Sequence, residues 1–140
     1  MDVYSSRIQV KSERRVEVKD VTEEVQVKLG ESGIEDGVLF IFSLHTTNTL
    51  ILNEGEPGLM RDVERWVEEA FARPDYRHDR IDRNAAAHIA ASVAGNSLVL
   101  PVEGGKLALG TWQRVLHLEL DGPRTRTLLV KVIGRKKENK

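Results

Sequence analysis

The sequence predicts an α+β fold: one compact domain, 1–140, of largely antiparallel, β-sandwich-like sheets with about three helices. Three observations predict it. Alternating or continuously apolar runs of strand length recur along the chain. Two stretches carry helix signals instead, one with apolar residues at 3.6 spacing and one rich in alanine. The last third holds only tight turns between strands, which suits antiparallel pairing rather than a doubly wound parallel sheet. The 140 residues match about one domain and suffice for a core without staples. Apolar residues make up 40% and charged residues 31%, as in a globular protein, and with aromatics at only 5% the core must be mostly Val, Leu, Ile and Ala.

The elements follow in order. Arg7–Lys11 and Arg15–Lys19 alternate around the polar pair Glu13-Arg14 and suggest a β-hairpin. Asp20 can cap a helix, with Glu23 three residues on. Val21, Val25 and Leu29 keep helical spacing until Gly33, although a strand through Val25-Gln26-Val27 is the alternative. Val38–Ser43 reads as a buried strand and Thr49–Asn53 as another. Pro57 suits the first turn of a helix whose stripe is Leu59, Val63, Trp66, Val67, Ala70 and Phe71, with Pro74 just past its end. Asp75–Arg83 is irregular, and Asn84–Ala94 is an alanine-rich helix ended by Gly95. Strands are expected at Ser97–Val102, Lys106–Leu107, Trp112–Leu120 and Thr125–Ile133, with turns at Glu103-Gly104-Gly105 and Asp121-Gly122-Pro123. The basic tail 135–140 reads as a solvated terminus.

Composition narrows the function. With no cysteine, a thiolate nucleophile, a disulfide framework and a Cys-type zinc site are excluded. A net charge of −1 gives no general pull toward nucleic acid. Met1–Val10 lacks an apolar signal core, and no run approaches the ~18 apolar residues of a membrane span. A cytoplasmic location away from membranes is therefore expected.

The polar clusters carry the chemistry. His45-Thr46-Thr47 stands where the Val38–Ser43 strand stops, a place where an imidazole and two hydroxyls suggest a site. Asn84, His88 and Ser92 are spaced i, i+4, i+8 on one face of the alanine-rich helix, whose small residues let another backbone approach. His45 and His88 can meet in space, with His78 as a third nitrogen ligand, although no His-x-x-x-His pair is present. Asn53-Glu54 ends an apolar strand, and carboxylates such as Glu54 suit a hard cation. Glu119 reads as a surface salt-bridge former, and His117, mid-strand, as facing solvent or a neighbouring subunit. Arg77, Arg80 and Arg83 flank His78, and their guanidinium forks match phosphate. The helix start at Asn84 offers N–H groups to an anion. Gly110-Thr111 can present amides and a hydroxyl, with Gln113 close by, although an ordinary turn fits as well.

Taken in order, His45-Thr46-Thr47, Asn53-Glu54, Tyr76-Arg77-His78, Asn84 to His88, Ala91-Ser92, Leu98 to Val102, Leu107 to Gln113 and Glu119 to Arg124 resemble the YjbQ family, over about Arg7 to Val132. Asn48 and Thr49 replace small residues frequent in that family, and His117 an apolar or aromatic one. The resemblance implies a compact α+β subunit, a homotrimer, and a polar site near subunit boundaries. It implies a secondary thiamine-phosphate synthase, joining a pyrimidinylmethyl diphosphate to a thiazole phosphate with release of diphosphate. The substrate is then a phosphorylated small molecule. The implied catalytic set is His45, Thr46, Thr47, Asn53, Glu54 and His88. Arg77, Arg83, Asn84, Ser92, Gly110, Thr111 and Gln113 would bind substrate and phosphate. A divalent metal, Mg²⁺ or Zn²⁺, would sit on His45, His88 and His78, with no organic cofactor. The other readings of the same polar residues are a non-catalytic phosphometabolite-binding trimer and a metal-dependent hydrolase.

Overall fold

A computed structural model describes residues 1–138. Its strands are β1 Asp2–Lys11, β2 Glu17–Asp20, β3 Ile34–Ser43, β4 Asn48–Asn53, β5 Ser97–Glu103, β6 Lys106–Leu107, β7 Arg114–Glu119 and β8 Thr125–Lys136. Its helices are α1 Thr22–Ser32, α2 Pro57–Phe71 and α3 Ala85–Ala94, with a 3₁₀ turn at Arg77–Arg80. All strand pairs are antiparallel. They form a five-stranded sheet of order β1-β8-β3-β5-β6 and a three-stranded sheet of order β2-β7-β4. The fold is α+β, as the turn-rich last third predicts.

The strand period of two explains the layering. In β3, Leu39 and Ile41 point to the core while Phe40 and Phe42 point out. Leu128, Val130 and Val132 of β8 meet Leu50 of β4 and Val115 of β7 between the sheets, with Val25 and Leu29 of α1 closing one end. On the other face of the small sheet, Leu116, Leu118 and Leu120 pack on Ala87, Ala90 and Ala91 of α3 and on Val63, Val67 and Phe71 of α2. Since β7 is covered on both faces, Val115–Leu120 is buried without a break.

Several expectations change. The two alternating N-terminal segments are not a hairpin: β1 pairs with β8 and β2 with β7, in different sheets. The helix reading at Val25-Gln26-Val27 holds, because Val25 is fully buried while Val27 is 58% exposed. Asp20 precedes the cap at Val21, and its Oδ1 accepts from the Thr22 N–H at 3.0 Å. Gly33 ends α1 in the left-handed region, φ 68°. In α2 the packed face is rotated from the expected stripe, leaving Trp66 64% exposed and Glu64 buried. The cause is polar: the Glu64 carboxylate accepts from Arg14 Nη1 and Nη2, both at 3.0 Å, and from the Val18 N–H at 2.8 Å. The basic tail is less free than expected. Arg135 and Lys136 belong to β8, and the Lys137 N–H donates to the Gly33 carbonyl at 3.3 Å. Residues 139–140 of the tail lie outside the described residues. No helix among the described residues is long and apolar enough to cross a membrane.

Candidate functional site

The loop between β3 and β4 carries His45. Ser43 Oγ accepts the His45 N–H at 3.1 Å and donates to Asn48 Oδ1 at 2.5 Å. The ring is fixed too, since the Thr127 N–H donates to His45 Nε2 at 2.8 Å. Burial, and then the nearby Arg126 charge, hold this imidazole below its ordinary value. Thr46 is exposed, while Thr47 is turned inward, where its Oγ1 accepts from Arg126 Nη2 at 2.7 Å.

Beneath the loop lies a buried polar cluster. Arg126 closes on Glu119 with a two-point bond, Nε to Oε1 at 2.8 Å and Nη2 to Oε2 at 2.5 Å. Glu119 is thus an interior ion-pair partner, not a surface one. Burial pushes its carboxyl up, but the bonds from Arg126 and Asp121 N–H and the Arg126 charge outweigh this, and the net direction is down. His117 is also interior rather than solvent-facing. Its Nε2 lies 2.9 Å from Asn48 Nδ2, and its Nδ1 is buried with no partner.

Above the cluster opens a cleft of about 390 Å³, walled by His45 and Thr46 on one side and by His88, Ser92 and Asn96 on the other. Ala91 and Gly95 leave the room for it. Ser92 Oγ donates back to the His88 carbonyl at 2.8 Å, so its lone pairs, not its proton, face outward. His88 also lines a second cleft of about 520 Å³, with His78, Tyr76, Arg73 and Arg77. The His78 and His88 rings meet edge to face, centroids 4.8 Å apart at 77°.

The remaining predicted residues divide. At the α3 start the cap residue Asn84 makes no side-chain cap bond, but the Ala85 N–H is taken by Asp79 Oδ1 at 3.0 Å. Asn84 is buried and donates to Asp121 Oδ2 at 2.9 Å. Arg83 lies outside both clefts and gives its carbonyl to Arg15 at 2.8 Å. Glu54 and Thr111 line a third cleft of about 570 Å³ with Trp112 and Arg114. Asn53 beside it accepts the Glu54 N–H at 2.8 Å. The Gly110 amide is taken by Gln113 Oε1 at 2.8 Å. This third cleft sits at the far end of β4 from His45, about 17 Å along a strand of this length. One chain therefore does not gather the two groups into one pocket. Nor do His45, His78 and His88 meet as a ligand set: among the described residues no three His, Asp or Glu side chains converge.

Sequence reasoning missed Asn96, Arg73 and Arg126. Arg126 had a signal, being in phase with the inward Leu128, Val130 and Val132. Asn96 and Arg73 had none.

The family model described as "UPF0047 protein YjbQ-like" matches residues 6–135. The chain belongs to the UPF0047 family. The UPF0047 protein of Archaeoglobus fulgidus is 49% identical over 125 residues, covering 89% of this chain and 97% of that one. UPF0047 protein YugU of Bacillus subtilis is 38% identical, covering 91% and 97%. Among solved structures, a YbjQ-like protein of unknown function from Sulfolobus solfataricus superposes with a TM-score of 0.92 at 39% identity, covering 96% and 99%. A hypothetical protein from Aeropyrum pernix K1 gives a TM-score of 0.92 at 41% identity, covering 94% and 99%. These findings overturn the expected thiamine-phosphate synthase activity. The UPF0047 relatives of Archaeoglobus fulgidus and Bacillus subtilis carry no such name, and the Sulfolobus solfataricus neighbour is one of unknown function. They speak no more specifically for the non-catalytic binding trimer.

Proposed function

We propose that this UPF0047 protein is an enzyme that performs proton-transfer chemistry on a phosphorylated small molecule, with His88 as the acid–base group. The observation that carries this reading is the placement of His88, whose ring stands between two adjoining clefts and against His78. Imidazole is the side chain best suited to accept and return a proton near neutral pH. Neither the His78 nor the His88 ring is tied to another protein group by a hydrogen bond among the described residues, so both are free to serve a ligand. Nucleophilic catalysis is less well supported, because Ser92 gives its proton to a helix carbonyl and not to an imidazole. Arg77, on the far side of His88, suits a phosphate group, whereas Arg73 in the same cleft is paired with Asp75 at 3.5 Å. A three-histidine metal does not fit one chain. The His45 Nε2 lone pair is already used by Thr127, which leaves that nitrogen with none for a metal.

A screen of phosphorylated metabolites by mass spectrometry tests the reading. His88→Ala is expected to lower turnover about 10²–10⁴-fold with the fold retained, and undiminished turnover by this variant would overturn the assignment.

We further propose that the protein works as a homotrimer. The outer face of the large sheet supports this: Val3, Phe40, Phe42 and Val99 are all exposed there, more apolar surface than a solvated face needs. Light scattering is expected to give three times the chain mass of 15.8 kDa, and a single-chain mass would refute it.

A further inference from the structure

His45 is the cleft histidine whose ring the chain itself fixes. A nitrogen that accepts a hydrogen bond carries no proton, so the Thr127 N–H on Nε2 places the proton of the neutral ring on Nδ1. Among the described residues Nδ1 has no partner, and it is not among the buried unpaired atoms. His45 therefore shows the cleft a donor and keeps its one lone pair for the backbone.

Thr127 is held by its pairing with Gln9 of β1; what ties the His45 loop to it is its neighbour. The Arg126 guanidinium spans Glu119 on β7 and Thr47 on the His45 loop, reaching the Thr47 carbonyl at 3.0 Å and its Oγ1 at 2.7 Å. On the other side of His45, the Leu44 N–H donates to the Thr127 carbonyl at 3.3 Å. The loop is thus stitched to the start of β8 on both sides of the imidazole.

We infer that Arg126 is a positioning residue: by clamping Thr47 to the start of β8 it holds His45 as the Nδ1–H tautomer and commits this end of the cleft to a ligand's acceptor oxygen. Such an oxygen belongs to a phosphoryl, carboxylate or carbonyl group. Ser92, whose lone pairs face outward, complements it by accepting from a ligand hydroxyl or amine. The ligand class rests on the cleft being the substrate site, but the tautomer does not. A fixed His45 tautomer beside full turnover in His88→Ala would remove the acid–base reading alone.

Two-bond proton–nitrogen correlation NMR on the full chain, labelled at histidine, tests it with inorganic phosphate as the probe. The expected result is a bare Nε2 and a protonated Nδ1 on His45 near neutral pH, with the Nδ1 signal moving as phosphate is added. The paired variant Arg126→Met with Glu119→Leu removes both buried charges and so avoids leaving one unpaired. It is expected to fold, to show His45 averaging between tautomers, and to bind phosphate about tenfold more weakly, ~1.4 kcal/mol. A proton on Nε2 in the native chain overturns the inference. So does a paired variant that keeps both the tautomer and the phosphate affinity. A native His45 signal that ignores phosphate overturns a phosphoryl oxygen as the group held at this end of the cleft.

Discussion

Glu119→Ala is expected to lower the unfolding free energy by about 3–5 kcal/mol. Glu119 is only 1% exposed, and its two oxygens serve five donor atoms of Arg126, Ser12, Leu120 and Asp121. Truncation removes the acceptors and leaves the Arg126 guanidinium buried and uncompensated. That desolvation cost, not the lost attraction, dominates the effect, because the intact pair only repays what its own burial costs. A domain of this size is stable by about 5–15 kcal/mol, so the variant is near the limit of folding. The urea midpoint should fall strongly while the denaturant slope stays the same. A shift worth under about 1 kcal/mol would mean that the pair behaves as an exposed one.

The same residue shows where sequence reading stops. The strand pattern located all the main strands and the three helices, because burial on a period of two or 3.6 leaves a direct mark on residue order. Leu39 and Ile41 against Phe40 and Phe42 is that mark. Partnership leaves a weaker one. The β1 segment alternates as well as any hairpin strand, yet its partner is β8, more than a hundred residues away, and nothing local encodes it. Polar burial inverts the usual inference altogether. Glu64, Glu119, His117 and Arg126 are types that normally seek water, so their interior places follow only from the partners that satisfy them.

The candidate site was legible in part for the same reasons. His88 and Ser92 share a helix face, and helical spacing alone puts them together on the cleft wall beside His45. The Asn53-Glu54 and Gly110-Thr111 pieces read as neighbours of that site only because they are polar. Their distance depends on the length and direction of β4, which carries Glu54 away from His45. The helix-start amides and the Gly110 amide read as free donors. The Ala85 amide at the helix start is bound by Asp79, and the Gly110 amide by Gln113.

Acid is expected to destabilise the fold through His117 before the buried carboxylate titrates. Burial pushes the His117 imidazole down from 6.5 to about 4, with Glu119 opposing and Arg126, His45 and Lys19 adding to the fall. The hydrogen bonds explain why the cation has no place. Ser43 donates to Asn48 Oδ1, so the Asn48 amide nitrogen faces His117 Nε2 as a donor. A proton added at Nε2 would set two donors against each other. The unfolded chain then binds more protons than the native one between pH 6.5 and about 4, so stability rises with pH across that window. The contribution is complete above the upper value and is lost as pH falls through the window, to a total of about 3 kcal/mol. Glu119 has a lowered carboxyl, so its own loss comes at still more acid pH and does not imitate this slope. Urea midpoints measured from neutral pH down to about 4 should show the decline in the native chain. In His117→Gln, whose side-chain oxygen can accept from Asn48 but cannot titrate, the same stretch should be much shallower, keeping only the slope of His45, which burial also holds down. If the full decline survives in that variant, the proton goes elsewhere, and His45, shifted in the same direction by its own burial, is the next group to replace.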